Sequence, residues 1–244
     1  MPLRELFRGK GANYHPIVRT ASELRNHLRL DPGTRMILLG TGKDKPIEDY
    51  WRWRQVHSLP QLLANLGFEC GIVPNYSFFL REPRPHHFFN RKRSLICTRE
   101  WSAAGLPSIP YLQAITQADW IFWERFLKAH PEVHVVAKEF QTGYANPTQG
   151  ENALDTLSQL QDVIGRRLHV IGIGAGKYRH VLQKRFDHWT ILDSVPFMKA
   201  VNWQLAGTAR TRVQWHSAPG EPVEDLLETN VAKYTRWIIE SGTH

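Results

Sequence analysis

Several features that mark whole classes of protein are scarce or missing in this sequence. Its two cysteines, Cys70 and Cys97, are by themselves too few for a disulfide framework or a zinc site with four cysteine ligands. No apolar run approaches the length of a membrane-spanning helix, and the first eight residues lack the apolar segment of a signal peptide. We therefore expect a cytoplasmic protein that does not bind a membrane.

Sequence motifs for cofactors are also missing. Gly172, Gly174 and Gly176 follow an apolar run, but the dinucleotide fingerprint G-x-G-x-x-G and its downstream acid are not met. His86 and His87 are adjacent, yet no cysteine or third histidine lies at a spacing that would complete a zinc site. We expect no cofactor and no resident metal.

Charge is unevenly distributed along the chain. Thirty-one Lys and Arg stand against 23 Asp and Glu, a net charge of +8, which favours a polyanionic partner such as DNA or RNA. Residues 81–93 are the densest basic and aromatic stretch, and we predict a connecting loop there. Its aromatic rings would stack on bases, although a solvated loop with no ligand explains the same composition. The predicted phosphate contacts are Arg81, Arg84, Arg91, Lys92 and Arg93.

Short apolar runs without alternation recur from residue 35 onward, and each is followed by a helical pattern. This rhythm is typical of parallel strands buried on both faces. The predicted strands are 36–39, 68–73, 106–112, 133–137, 168–173 and 190–192, with a seventh at 213–216. We expect an α/β fold with one domain, a TIM-like parallel β/α barrel over residues 35–244 that is complete or one strand short. An N-terminal arm and helix over residues 1–34 precede it, and a doubly wound sheet is the alternative.

Polar side chains follow most of the predicted strands. In a parallel barrel the carboxyl ends of the strands meet on one face, where such folds keep their chemistry. These residues suit a flat polar heterocycle, with one acid as nucleophile and another as base, or a divalent cation held by carboxylates. For Asp193 the alternative is a helix cap. The expected set is Asp44, Asn75, Ser77, Gln113, Glu139, Gln141, Gly174 and Asp193.

Four segments resemble the tRNA-guanine transglycosylase superfamily and occur in its order. They are Pro74-Asn75-Tyr76, Ile109–Ala114, Leu168–Gly174 and Leu192–Ala200. The resemblance implies a TIM barrel in which Asp193 displaces a base at C1′ of a ribose, while Gln113 and the Gly174 edge contact that base. The family's zinc-binding cysteines and the segment with its general base have no counterpart. Asp44 is a positional substitute for that base. The chain also resembles barrel proteins of plasmids and phages, for which no activity is implied.

Three functions remain open from the sequence. The first is an enzyme that acts on a nucleobase or N-glycosidic bond, with Asp193 as nucleophile, Asp44 or Glu139 as base and Lys199 as a further substrate contact. The second is a non-catalytic nucleic-acid-binding component of a mobile-element or phage-defence complex, with protein partners of its own. The third is a metal-dependent hydrolase that uses the same carboxylates.

Overall fold

The computed structural model describes residues 1–9, 11–79, 82–141, 146–207 and 212–240. Contacts divide the chain into two compact units. The first comprises Met1–Trp123 and Val135–Ala137, and the second comprises Glu124–His134 and Lys138–His244. The predicted arm and helix over residues 1–34 belong to the first of these units.

Helices and strands alternate through most of the described chain. Up to α5 they are β1 (Phe7–Arg8), β2 (His15–Pro16), α1 (Ala21–Leu28), β3 (Ile37–Leu39), α2 (Asp44–Trp53), α3 (Leu59–Asn65), β4 (Cys70–Ile72), α4 (Arg84–Ala103), β5 (Ser108–Ile109) and α5 (Gln117–Ala129). They continue with β6 (Val135–Glu139), α6 (Pro147–Ile164), β7 (His169–Ile173), α7 (Arg179–Arg185), β8 (His188–Leu192), α8 (Val195–Ala200), β9 (Gln204–Gly207), β10 (Gln214–Ser217) and α9 (Val223–Glu240). Within the described ranges, no helix is long and apolar enough to cross a membrane.

Three parallel strands form the main sheet of the first unit, in the order β3–β4–β5. Leu38 pairs with Gly71, and Ile72 pairs with Ile109. Leu38 and Ile72 are fully buried, as expected for strands covered on both faces. β5 is short, and Pro110, which has no N–H to donate to a ladder, follows it directly.

A second sheet has the order β6–β7–β8. β7 and β8 are parallel and in register from His169 opposite His188 to Ile173 opposite Leu192. β9 and β10 form an antiparallel pair in the second unit, and β1 and β2 form another in the first. The carboxyl ends of β7 and β8 therefore lie side by side, with the segments that follow each strand at one edge of the sheet.

The α/β class with parallel strands is confirmed, but a TIM-like barrel is not shown. The described strands form two parallel sheets of three strands and two antiparallel pairs, without a closed barrel among them. The seventh predicted strand, 213–216, corresponds to β10, which is antiparallel to β9. It does not extend either parallel sheet, because it pairs with β9 and runs in the opposite direction to that strand.

The predicted loop over residues 81–93 is mostly helical. α4 begins at Arg84 and includes the rest of this stretch. Prolines on either side of Arg84 do not prevent this, because a proline in the first turn removes no helical hydrogen bond. Between α2 and α3, Ser58 adopts a left-handed conformation at φ 48°.

Large aromatic side chains fill the core of the first unit. Trp101 and Tyr50 are fully buried, and the Trp101 indole N–H donates to the Tyr50 hydroxyl at 2.5 Å. Gly71 permits the close packing of Trp101 on β4, since a Cβ at this position would lie 2.7 Å from the indole ring. The glycine therefore serves tight packing rather than an unusual backbone conformation.

A fully buried carboxylate, Asp119, joins α4 to the beginning of α5. It accepts hydrogen bonds from Arg84 at 2.7 and 3.1 Å and from Arg91 at 2.8 Å. It also accepts from the backbone N–H groups of Ile115 and Thr116 and from the Thr116 hydroxyl. Burial alone would raise the pKa of Asp119, but these donors, with Arg84 foremost, hold the pKa of this carboxyl well below its usual range.

We expect Asp119→Asn to lower the free energy of unfolding by about 3–5 kcal/mol, because it leaves two guanidinium groups without their counter-charge. Urea unfolding followed by circular dichroism measures the change. The control is Asp162→Asn, since the Asp162 side chain is 69% exposed and its ion pair with Arg167 is 3.4 Å long. That variant should change stability by less than about 1 kcal/mol. Equal stability of Asp119→Asn and wild type would contradict the structural role of Asp119.

Lowering the pH should remove the contribution of Asp119 to the free energy of unfolding. Its pKa is depressed in the folded state, so the stabilisation is present above the pKa of an unfolded Asp and is lost as the pH falls towards the folded value. The difference in stability between wild type and Asp119→Asn should therefore narrow below about pH 4. Unfolding curves of both proteins between neutral pH and strong acid test this, and a constant difference would contradict it.

Candidate functional site

Hydrogen bonds connect the segments that carry the predicted strand-end residues of the first unit. Asp44, at the start of α2, accepts a hydrogen bond from the Ser77 hydroxyl. The Gly42 N–H donates to the Asn75 side-chain oxygen at 3.3 Å. These hydrogen bonds connect the segment after β3 to the segment after β4, so the polar groups stabilise this edge of the sheet.

Gln113, the predicted base contact after β5, is buried. Its side-chain nitrogen donates to the Tyr76 carbonyl, and its main-chain oxygen accepts from the Trp123 indole at 2.8 Å. Its side-chain oxygen has no hydrogen-bond partner among the described residues. Gln113 therefore links the segments after β4 and β5 from within the core.

The basic stretch is largely internal. Arg84 and Arg91 pair with Asp119, as described above, and Arg91 is buried. Arg93 is also buried, pairs with Glu48 at 2.5 Å and lies over the Tyr76 ring at 3.8 Å. Lys92 is exposed, whereas the predicted contact Arg81 lies outside the described residues. Three of the predicted phosphate contacts thus have carboxylate partners within the first unit.

In the second unit the ends of β6, β7 and β8 bring several predicted residues to one sheet edge. The Phe140 N–H donates to the Ile173 carbonyl at 2.8 Å, and the Gly174 N–H donates to the Leu192 carbonyl at 2.8 Å. Glu139 is the last residue of β6. Because these hydrogen bonds continue the ladder past the strands, the residues that follow each strand remain neighbours.

Gln141 packs directly on Gly174. A Cβ on Gly174 would lie 2.1 Å from the Gln141 Cγ, and the glycine has a φ of 65°. Both the space and the backbone conformation therefore require glycine at this position. The structure thus brings the predicted amide and glycine edge into contact.

Asp193, immediately after β8, is held through both carboxylate oxygens. Its Oδ1 accepts from the Val195 N–H at 3.0 Å, and its Oδ2 accepts from the Tyr234 hydroxyl of α9 at 2.7 Å. The first bond is an i to i+2 turn contact, one residue ahead of Ser194, which is the N-cap of α8, and so lies next to the helix cap that the sequence offered as an alternative. The second comes from a residue 41 positions away, and it fixes the carboxylate beyond what a cap requires.

Gly176 lies against this pair. A Cβ at Gly176 would be 2.1 Å from the Tyr234 hydroxyl oxygen and 3.1 Å from Asp193 Oδ2. Burial, followed by the charge of Asp193 and the hydrogen bond to it, raises the pKa of Tyr234 above its usual value. The phenol therefore remains a neutral hydrogen-bond donor to Asp193 at physiological pH.

Two basic side chains of the second unit have other partners. Arg179 is buried with its guanidinium 3.7 Å from the centre of the Trp237 ring, and burial lowers its pKa. Lys199, predicted as a substrate contact, donates to the Gln204 side chain at 2.8 Å. Neither forms an ion pair with Asp193 among the contacts of the described residues.

The sequence did not identify Tyr234, Gly176 or Arg179 as part of this region. Tyr234 lies on the last helix, α9, and no local pattern distinguishes it from other aromatic residues. No group of three or more His, Cys, Asp or Glu residues that could hold a metal ion occurs in the described ranges. The candidate site is therefore a carboxylate with neutral donors, next to an amide and a glycine edge.

We expect Gly176→Ala to displace the Tyr234 hydroxyl and to destabilise the protein by about 1–3 kcal/mol. The loss should be smaller in a Tyr234→Phe background, because the atom nearest the new methyl group is absent there. A double-mutant cycle from urea unfolding should give a coupling of about 0.5–3 kcal/mol. The control is Gly33→Ala, where a Cβ meets no heavy atom within 4 Å. Additive effects of the two substitutions would show that Gly176 does not keep space for the hydroxyl.

No protein-family model matches this chain, and no curated protein matches its sequence. The relationship to the tRNA-guanine transglycosylase superfamily therefore stays a prediction that rests on short segments of the chain.

Proposed function

We propose that the second unit carries the nucleophile of an enzyme that exchanges or removes a nucleobase at an N-glycosidic bond. The observation that supports this proposal is the environment of Asp193. Its two oxygens are positioned by neutral donors, the Val195 N–H and the Tyr234 hydroxyl, at the carboxyl edge of a parallel sheet. Chemistry in α/β folds is commonly located at this edge.

The type of partner distinguishes this carboxylate from a structural one. Asp119 is fully buried and its charge is balanced by two arginines. Asp193 is partly exposed, and no lysine or arginine in the described ranges forms an ion pair with it. A carboxylate oriented by neutral donors retains lone pairs and negative charge, as a nucleophile requires.

The reaction would proceed by two displacements. Asp193 attacks C1′ of the sugar as the C1′–N bond breaks, and the departing base takes the electron pair of that bond and a proton from Glu139. The incoming base then gives a proton to the Glu139 carboxylate, attacks C1′ and releases Asp193. Glu139 is preferred over Asp44 because it ends a strand of the same sheet, whereas Asp44 lies in the first unit and accepts from Ser77.

Gln141 and Gly174 would bind the base. A side-chain amide beside a glycine offers donors and acceptors with little steric bulk, which suits the hydrogen-bonding edge of a purine. Their contact supports this role. In the superfamily that the sequence resembles, the corresponding chemistry is built on a TIM barrel, and for this chain that fold stays a prediction.

Base exchange can be assayed before the natural acceptor is identified. The protein is incubated with isotopically labelled nucleobases and with nucleosides, single-stranded DNA, duplex DNA or tRNA, and incorporation is measured by mass spectrometry. Mass spectrometry of the intact protein detects the glycosyl-enzyme adduct. We expect exchange with one of these acceptors and an adduct on Asp193, whereas absence of both would refute the proposal.

Asp193→Asn should lower turnover by orders of magnitude, because a carboxamide does not form the glycosyl-enzyme bond. The melting temperature should change little, since the side-chain oxygen of Asn can still accept the hydrogen bond from the Val195 N–H. Asp193→Ala should lose activity and also about 0.5–2 kcal/mol of stability. If the Asn variant retains full turnover while the Ala variant is only less stable, Asp193 is a cap and not a nucleophile.

A further inference from the structure

Two adjacent phenylalanines on α4 are exposed. Phe88 is 50% exposed and Phe89 is 53% exposed, although the next two residues of the helix, Asn90 and Arg91, are buried. Large apolar side chains that project together from a surface commonly mark an interaction site. We refer to Phe88, Phe89 and the neighbouring Lys92 as the α4 platform.

Both rings are flanked by fixed cations. The guanidinium carbons of Arg84 and Arg91 lie 5.0 and 5.4 Å from the centre of the Phe88 ring, and that of Arg93 lies 5.3 Å from the Phe89 ring. These arginines are anchored by their ion pairs with Asp119 and Glu48. The surroundings of both rings are therefore held in place before any ligand binds.

The excess of positive charge around the platform favours an anionic ligand. Arg84, Arg91, Lys92 and Arg93 outnumber the two carboxylates that pair with this group, and Lys92 is exposed. The whole chain carries a net charge of +8. A partner that offers flat aromatic faces together with regularly spaced negative charges matches the exposed rings and the positive charge of the platform.

We propose that the α4 platform binds single-stranded nucleic acid, with bases stacked on Phe88 and Phe89 and a phosphate at Lys92. Exposed aromatic rings in a cationic setting are the usual means of binding single strands without sequence preference. Arg91 and Arg93 support the rings from inside the protein and do not contact phosphate. The inference does not rest on the activity proposed for Asp193, because the platform belongs to the first unit and is tested by binding alone.

Fluorescence anisotropy with labelled oligo(dT) and oligo(U) strands tests the proposal. Phe88→Ala and Phe89→Ala should each weaken binding about 5- to 150-fold, the equivalent of one lost stacking contact. Phe88→Tyr should bind like the wild type, whereas Phe88→Leu should bind more weakly because it keeps apolar surface but no ring face.

The phosphate contact is tested by salt. Lys92→Ala should reduce the slope of log affinity against log salt concentration by about one unit. A duplex of the same length should bind more weakly than the single strand, because its base faces are already stacked.

Phe197→Ala is the matched control. Phe197 is 51% exposed in the second unit, so its removal should leave oligonucleotide affinity unchanged. Thermal unfolding confirms that each variant is folded.

Three results would overturn the inference. One is the absence of oligonucleotide binding by the wild-type protein at low salt. Another is wild-type affinity in both alanine variants or in Phe88→Leu. The third is a protein that is dimeric by light scattering and becomes monomeric on Phe88→Ala, because the platform would then be covered by a second copy of the chain.

Discussion

In the first unit, the packing of α4 against the beginning of α5 depends on one buried carboxylate that is enclosed by two arginines. Asp119 has no exposed surface, and water is replaced there by two guanidinium groups, two backbone N–H groups and a hydroxyl. Buried charges of this kind are tolerated only when each is paired and hydrogen-bonded. The cluster therefore fixes α4 against the beginning of α5, and it determines that Arg91 faces the interior while Phe88 and Lys92 remain at the surface.

Asp119 and Asp193 show how partners define the role of a carboxylate. At Asp119 the donors are cations, the negative charge is balanced, and the result is a rigid structural link. At Asp193 the donors are a phenol and a backbone N–H, so geometry is fixed while the charge is retained. Gly176 makes the second arrangement possible, because any side chain there would occupy the space of the Tyr234 hydroxyl. The proposed reactivity of Asp193 depends on this difference.

Local patterns in the sequence predicted the α/β class and most strands, because burial of apolar residues follows the period of each element. They failed where the outcome depended on distant partners. The basic stretch was predicted as a loop, yet α4 begins at Arg84, and Arg84 and Arg91 pair with Asp119. One signal was present in the sequence, since Thr116 and Asp119 have the Ser/Thr-x-x-acid spacing of a helix N-terminus, which marks Asp119 as a structural acid.

The sequence by itself determined that this chain alternates short buried strands with helices, that polar residues follow the strands, and that Asp193 lies between β8 and α8. These properties arise from hydrophobic periodicity and capping, which act over a few residues. Only the tertiary structure decided that Tyr234 holds Asp193, that Gln141 packs on Gly174, and that Arg91 and Arg93 of α4 are buried. Contacts between residues far apart in the chain depend on how whole elements pack, and a one-dimensional pattern does not specify that packing.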